Sequence, residues 1–216
     1  MQESVYVTGM ILKQSPVGEY DRRVCILTKE RGKISAFARG ARKPSNRLSA
    51  VTCPFSFGSF KLYPGKDSYT IQEAEIQNYF ESLRTDYEGA CYGMYFAEIA
   101  DYYARENNDE KQMLKLLYQS LKAVSSTAIP NELVRCVYEL RSIVENGEFP
   151  GIPQDMGLSQ SANYTIQYIQ SSSIEKLYTF LVTDDVLEEL RQVSDRYCAR
   201  FMRHEFKSLS ILKTLC

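Results

Sequence analysis

The residues of this 216-residue chain best suited to chemistry are its cations. "FARGARKPSNRL", residues 37–48, brings Arg39, Arg42, Lys43 and Arg47 into twelve positions without one acid. The run is longer than that stretch: between Glu30 and Asp67 come Arg31, Lys33, Arg39, Arg42, Lys43, Arg47, Lys61 and Lys66, with no Asp or Glu. The whole chain holds 26 Lys and Arg against 27 Asp and Glu, so the excess is local. Cations on strand edges and loops also guard against aggregation, but that role predicts mixed signs, as in the rest of the chain. A span of one sign costs self-repulsion unless something anionic binds. Small residues between the cations (Ala38, Gly40, Ala41, Ser45) keep the backbone accessible, and Arg forks onto phosphate oxygens. Among anions, a polyphosphate backbone fits best.

Catalytic arrangements are absent by the same kind of reading. The one histidine, His204, follows Cys198 by six residues on one predicted helix, which sets them about 240° apart and prevents a local Cys–His pair. "GSFKLYPGKD" has six residues between Gly58 and Gly65, and Asp67 after Lys66. A phosphate loop needs four residues between the glycines and a hydroxyl after the lysine. Glu73 and Glu75 share a strand face, and Asp184 and Asp185 open a helix, so solvation and capping account for both pairs. Six widely spaced cysteines with no C-x-x-C offer no zinc geometry. They read as small buried hydrophobes of a cytosolic protein. The expectation is a protein without enzyme activity, cofactor or metal.

The elements that position the cations change character near residue 80. Residues 1–80 hold 12 Lys and Arg against 7 Asp and Glu, a net of +5, and residues 81–216 hold 14 against 20, a net of −6. Such asymmetry suggests different partners for the two halves. In the first half, "SVYVTGMILKQ", "YDRRVCILTKE", "KISAFAR", "TCPFSFGSFKLY" and "SYTIQEAEIQ" read as five strands separated by turns and one loop around 40–50. Alternation places Cys53, Phe55 and Phe57 on one face, with Gly58 as a bulge re-aiming Phe60 and Leu62. Five strands in this length suggest a small barrel of OB or SH3 type. Barrels of the OB type bind single strands with a basic groove and aromatic platforms. Phe37, Phe55, Phe57, Phe60, Tyr63 and Tyr69 are near enough to serve. Alternation sends Phe55 and Phe57 to the core, so Tyr20, Tyr63 and Tyr69 suit a wet platform better.

From residue 81 the period is helical. "YEGACYGMYFAEIADYYARE" is apolar nearly all round and reads as the centre of a bundle. "DEKQMLKLLYQSLKAVSS" carries Leu114, Leu117, Tyr118 and Leu121 on one stripe. "PNELVRCVYELRSIVENG" is capped by Asn131 and stopped by Gly147. "TDDVLEELRQVSDRYCARFMRH" repeats Val186, Leu190, Val193, Tyr197 and Phe201, with Thr183 or Asp184 at its start. "EFPGIPQDMGLSQSAN" has no period and reads as a loop excursion around 148–163. The fold class is therefore α+β in two domains: a five-stranded barrel at 1–80 and a mostly α-helical domain at 81–216. No apolar run approaches the roughly 18 residues of a membrane span, and "MQESVYVTGM" lacks the pattern of a secretion signal. The expected location is the cytoplasm.

"GMILKQSPVGEYDRRVCILTKERGKISAFARGARKPSNRLSA" resembles the N-terminal domain of the RecO family of bacterial recombination mediators. The shared pattern is an extended opening strand, Gly18-Glu19-x-Asp21-Arg22, a strand, turn and strand, and a Gly-Ala-Arg-Lys loop ending in Arg-Leu. "RHEFKSLSIL" is similar to the family's closing segment, and "RCVYELRSIVENGEFP" to its central helix. The resemblance implies an OB-fold followed by a helical domain. It also implies binding of single- and double-stranded DNA, annealing of complementary strands, and loading of recombinase with RecR onto DNA coated by single-stranded-DNA-binding protein, which places the protein at the nucleoid. Under it, Arg39, Arg42, Lys43 and Arg47 contact the DNA backbone, with Arg22, Arg23, Arg31 and Lys33 behind them. Family members often carry a four-cysteine zinc site after the central helix. This chain has "GIPQDMGLSQSAN" there, and no metal is carried over. Charge alone also fits an RNA-binding barrel with a helical adaptor, or a protein-interaction module docking an acidic partner.

Overall fold

The computed structural model describes residues 3–126 and 128–215. The alternating runs of the first half become β1 (Val5–Val17), β2 (Asp21–Thr28), β3 (Gly32–Ala38), β4 (Phe57–Pro64) and β5 (Tyr69–Asn78). They close into a barrel in the order β1-β2-β3-β5-β4. β1 closes it by pairing antiparallel with β2 on one side and β4 on the other. Its register against β2 slips between Ile11 and Lys13, and such a bulge bends the strand so that it can serve both neighbours. Ile11 and Leu12 are consequently both buried. β3 meets β5 in a short parallel contact, Ala36 opposite Tyr69 and Phe37 opposite Thr70. Closure leaves the β3–β5 seam, paired at only two positions, as the barrel's weakest join.

Inward residues fill this barrel: Val7, Ile11, Val24, Ile26, Ile34, Phe60, Leu62 and Ile71 are buried together. Leu48 and Val51 of the four-residue helix α1 (Leu48–Val51) join them. Gly58 is the expected bulge, since the β4–β5 register shifts between Phe57 and Gly58, and Phe60 and Leu62 point inward. The alternation read across Cys53, Phe55 and Phe57 is corrected. β4 begins only at Phe57, and Phe55 lies in a turn with φ at 70°. Its N–H donates to the Ile11 carbonyl at 2.9 Å, while the Ile11 N–H donates to the Ser56 carbonyl at 3.1 Å. Phe55 is buried through that turn, and Phe57 and Cys53 are only half-buried.

The described residues group into two compact units: residues up to Thr85 with Ala97–Leu114, and Asp86–Phe96 with residues from Lys115 on. The helices are α2 (Tyr87–Tyr103), α3 (Lys111–Ser126), α4 (Asn131–Glu145), α5 (Gln160–Ser171), α6 (Asp184–Phe201) and α7 (Lys207–Leu215). In the second unit Phe96 stacks on Tyr138 with ring centroids 4.4 Å apart, and the Tyr138 hydroxyl donates to the Phe96 carbonyl at 2.9 Å. Pro130, not Asn131, occupies the cap position of α4. Gly147 ends that helix with φ at 71°, a left-handed conformation that costs glycine little. α6 stops at Phe201, so His204 does not share a helix with Cys198. Its ring packs edge-on against Phe206, 5.0 Å away.

The excursion at 148–163 is a loop only in part. α5 begins inside it, where the Ser159 hydroxyl accepts from the Ala162 N–H at 3.1 Å. Ala162, Ile166 and Ile169 make its buried stripe. α6 grips the remainder. Arg196 forks onto Asp155 at 3.0 and 2.8 Å, the Tyr197 hydroxyl donates to the Gly151 carbonyl at 2.7 Å, and Glu189 accepts from the Ser159 hydroxyl at 2.7 Å. Among the described cysteines all are free thiols, and only Cys136 is fully buried. Cys25, Cys53, Cys91 and Cys198 are half-buried rather than core residues, and Cys216 lies outside the described residues.

Candidate nucleic-acid interface

The loop between β3 and α1 is pinned from both sides while its cations point outward. Gly40 turns the chain with φ at 68°, and its N–H donates to the Asp21 carboxylate at 2.7 Å. A side chain there would meet the Asn46 amide at 2.7 Å. Ala41 is buried against the barrel core. Asn46 donates to the Arg39 carbonyl at 3.3 Å and accepts from the Leu48 N–H at 2.8 Å. The Arg42 N–H donates to the Tyr20 carbonyl at 2.9 Å, and its guanidinium to the Gly18 carbonyl at 2.9 Å. These bonds fasten the loop to the β1–β2 turn.

On that support Arg39, Arg42, Lys43 and Arg47 are all exposed. The Lys43 ammonium stands 4.9 Å from the centre of the exposed Tyr20 ring, and Arg47 donates to the Gln72 carbonyl of β5 at 3.1 Å. None of the four has a carboxylate within ion-pair distance among the described residues. Four uncompensated cations on a fixed loop beside a tyrosine are suited to phosphate oxygens and a base face.

The other four cations are placed differently. Arg22 is half-buried and donates to the Ser49 carbonyl at 2.7 Å and the Thr52 hydroxyl at 2.9 Å, so it braces α1. Arg23 is exposed, donates to the Ser35 hydroxyl at 2.8 Å and lies 6.0 Å from the Phe37 ring centre. Arg31 reaches the Tyr69 hydroxyl at 3.5 Å. Lys33 pairs with Asp101, 3.2 Å away. Of the aromatic candidates, Phe55 and Phe60 are buried, whereas Tyr20 and Tyr63 are exposed. Tyr69 and Phe37 are half-buried.

Sequence reasoning passed over Lys13 and Asp101. The Asp101 carboxylate receives Lys13 at 2.6 Å and Lys33 at 3.2 Å, and the Lys33 ammonium also donates to the Asp101 carbonyl at 2.5 Å. Burial works to raise this carboxyl, but the two lysines outweigh it and hold it below the usual carboxylate range. The Cys25 thiol beside it, 3.5 Å away, is pushed up to about 12 by burial and by the same carboxylate, which leaves it a poor nucleophile. No local signal marks this cluster, because its members are 68 and 88 residues apart. Among the described residues, no three or more His, Cys, Asp or Glu are grouped to hold a metal ion. No described helix is long and apolar enough to cross a membrane.

A closed five-stranded barrel followed by helices is the architecture that the resemblance implies. The family model "Recombination protein O N terminal" matches residues 1–80, and "Recombination protein O C terminal" matches 84–153. A DNA repair protein RecO from Acetivibrio thermocellus is 30% identical over 96% of each chain. The chain belongs to the RecO family. Another relative of that name, from Clostridium perfringens, is 26% identical over 95% of this chain and 96% of its own. The RecO of Bacillus subtilis is 31% identical over 66% of this chain and 55% of its own. Family membership makes this a DNA repair protein, and its barrel is the OB-type domain of that family.

Proposed function

We propose that the barrel binds single- and double-stranded DNA through the phosphate backbone at Arg39, Arg42, Lys43 and Arg47. Arg23, opposite Phe37 near the start of the loop, flanks that site, and Arg22 braces α1, which follows the loop. Arg31 and Lys33, toward the far end of β3, would extend the contact. The observation that carries this reading is the loop itself: four exposed cations with no carboxylate partner among the described residues, fixed by hydrogen bonds to the β1–β2 turn. Annealing needs no active site. A cationic surface that screens repulsion between two strands lowers the barrier to their meeting, and base pairing supplies the driving energy. The protein thereby anneals complementary strands and, with RecR, helps load recombinase onto DNA coated by single-stranded-DNA-binding protein. It does so at the nucleoid, in the cytoplasm, and not as an enzyme.

The test is fluorescence anisotropy of a labelled single strand across several salt concentrations, with RNA of the same sequence alongside. Replacing Arg39, Arg42, Lys43 and Arg47 together by Ala should weaken binding of every sequence. It should also reduce the log–log salt slope by about 0.7 per lost contact. An unchanged slope would remove this loop from the interface. Equal or tighter binding to RNA would favour an RNA-binding adaptor instead.

A further inference from the structure

The outer face of β1, β2 and β3 forms an open groove of about 600 Å³ in the first unit. Four cations line it, Lys13, Arg23, Lys33 and Arg105, against three acids, Asp67, Asp101 and Glu106. Arg105 is engaged by the carbonyls of Tyr102, Tyr103 and Ala104. Arg23 faces the groove without an acid partner among the described residues. Lys13 and Lys33 come from strands that flank β2 on either side, and both converge on Asp101. Its helix does not account for this carboxylate: Asp101 sits in the last turn of α2, where the helix dipole disfavours negative charge.

Strand β2 links the groove to the β1–β2 turn that carries the cationic loop. Cys25 and Arg23 lie on one face of β2, and that strand begins just after Tyr20, on which Lys43 rests. Five extended residues from Cys25 back to Tyr20 span about 16 Å. A carboxylate holding two ammonium groups makes the contacts that a phosphate would make through two of its oxygens.

We propose that Asp101 is an internal phosphate mimic. It occupies Lys13 and Lys33 and so withholds a second backbone-binding track, on the β1–β2–β3 face, from the nucleic acid held by the loop. This inference rests on the reading that the barrel binds a nucleic-acid backbone. Removing the carboxylate adds two phosphate contacts without adding a cation.

The experiment is single-strand binding by full-length Asp101→Asn across a salt series. Two added contacts should tighten binding about 25-fold at 0.1 M salt and steepen the log–log slope by about 1.4. Asp101→Ala should do the same and guards against a folding failure, since Ala favours the helix and removes a charge its dipole opposes. Adding Lys13→Gln to Asp101→Asn should halve the gain in slope, and adding Lys33→Gln as well should abolish it. Folded Asp101 variants with wild-type affinity and slope would overturn the inference. So would a gain that survives loss of both lysines. The loop variant run in parallel separates the two claims. If its slope falls while the Asp101 variants change nothing, loop binding stands and the mimic does not. If the wild-type chain binds no strand at low salt, the parent reading fails first.

Discussion

At the scale of single residues, the chain treats its charges in two opposite ways. On the barrel loop they are left exposed, while in the second unit one is sealed in. Glu139 is 1% exposed. It accepts from the Tyr95 hydroxyl at 2.6 Å, the Ser194 hydroxyl at 2.5 Å and the Arg135 guanidinium at 3.0 Å. Every partner is satisfied, so the buried charge is tolerated, but removing it strands two buried hydroxyls and leaves Arg135 with Asp195, 2.7 Å away, as its remaining carboxylate. Glu139→Ala should cost about 2–4 kcal/mol of stability through the stranded hydroxyls, read from urea denaturation monitored by circular dichroism. A loss below about 1 kcal/mol would mean that water reaches the network.

The Asp101 clamp also has a definite pH window. The carboxyl is held below its ordinary value, so its stabilising contribution is complete above about pH 4 and lost as pH falls through the lower folded value. Lys13 is held above its ordinary value, its hydrogen bond to Asp101 outweighing burial. Its contribution is complete below about pH 10.4 and lost as pH rises through the higher folded value. Between those limits neither Asp101 nor Lys13 changes charge, so the strength of the clamp is insensitive to pH there. This pair was illegible in the sequence. Lys13 reads as an isolated strand cation and Asp101 as a charge on an apolar helix, and only closure of the fold brings them together.

At the scale of elements, legibility followed the strength of the local pattern. The strands were readable because alternation and turn residues agreed, as in β2 and β3 around Gly32. Phe55 defeated alternation because Pro54 and a left-handed turn intervene before β4. α5 was hidden by composition: Ser, Gln and Asn suggested a loop, although Ala162, Ile166 and Ile169 already had helical spacing. The cationic loop was legible as an acid-free run. That Arg22 braces α1 was not, because this depends on Ser49 and Thr52 coming into reach. Strands come close at Gly58 of β4, which pairs with Gly9 of β1 on one side and Ile76 of β5 on the other. A side chain on Gly58 would stand 2.1 Å from the Glu75 carbonyl and 2.7 Å from the Ile76 Cα, both backbone atoms. Gly58→Ala should therefore cost about 1–3 kcal/mol through forced separation of β4 and β5. Thermal unfolding of the variant checks this, and an unchanged midpoint would mean the strands part freely at the bulge.

For the molecule as a whole, the near-neutral total charge matters as much as the cationic loop. With 26 cations and 27 acids, the proposed loop binding would draw nucleic acid to one place rather than everywhere, so steering would depend on a local field that salt screens. Under the proposed function this sets an opposition that annealing kinetics can read. Two bare strands meet faster as salt rises, because their own phosphates are screened. Strands held on the loop meet more slowly, because each must release counterions to bind and salt reverses that release. The ratio of assisted to spontaneous annealing should thus fall steeply between about 50 and 200 mM salt, by more than single-strand affinity alone, since two backbones are held at once. Replacing Arg39, Arg42, Lys43 and Arg47 by Ala should flatten that fall toward a constant ratio. A ratio independent of salt in the wild-type chain would show that assistance does not act through phosphates. The loop's part in annealing would then be lost, even if its binding of single strands remained.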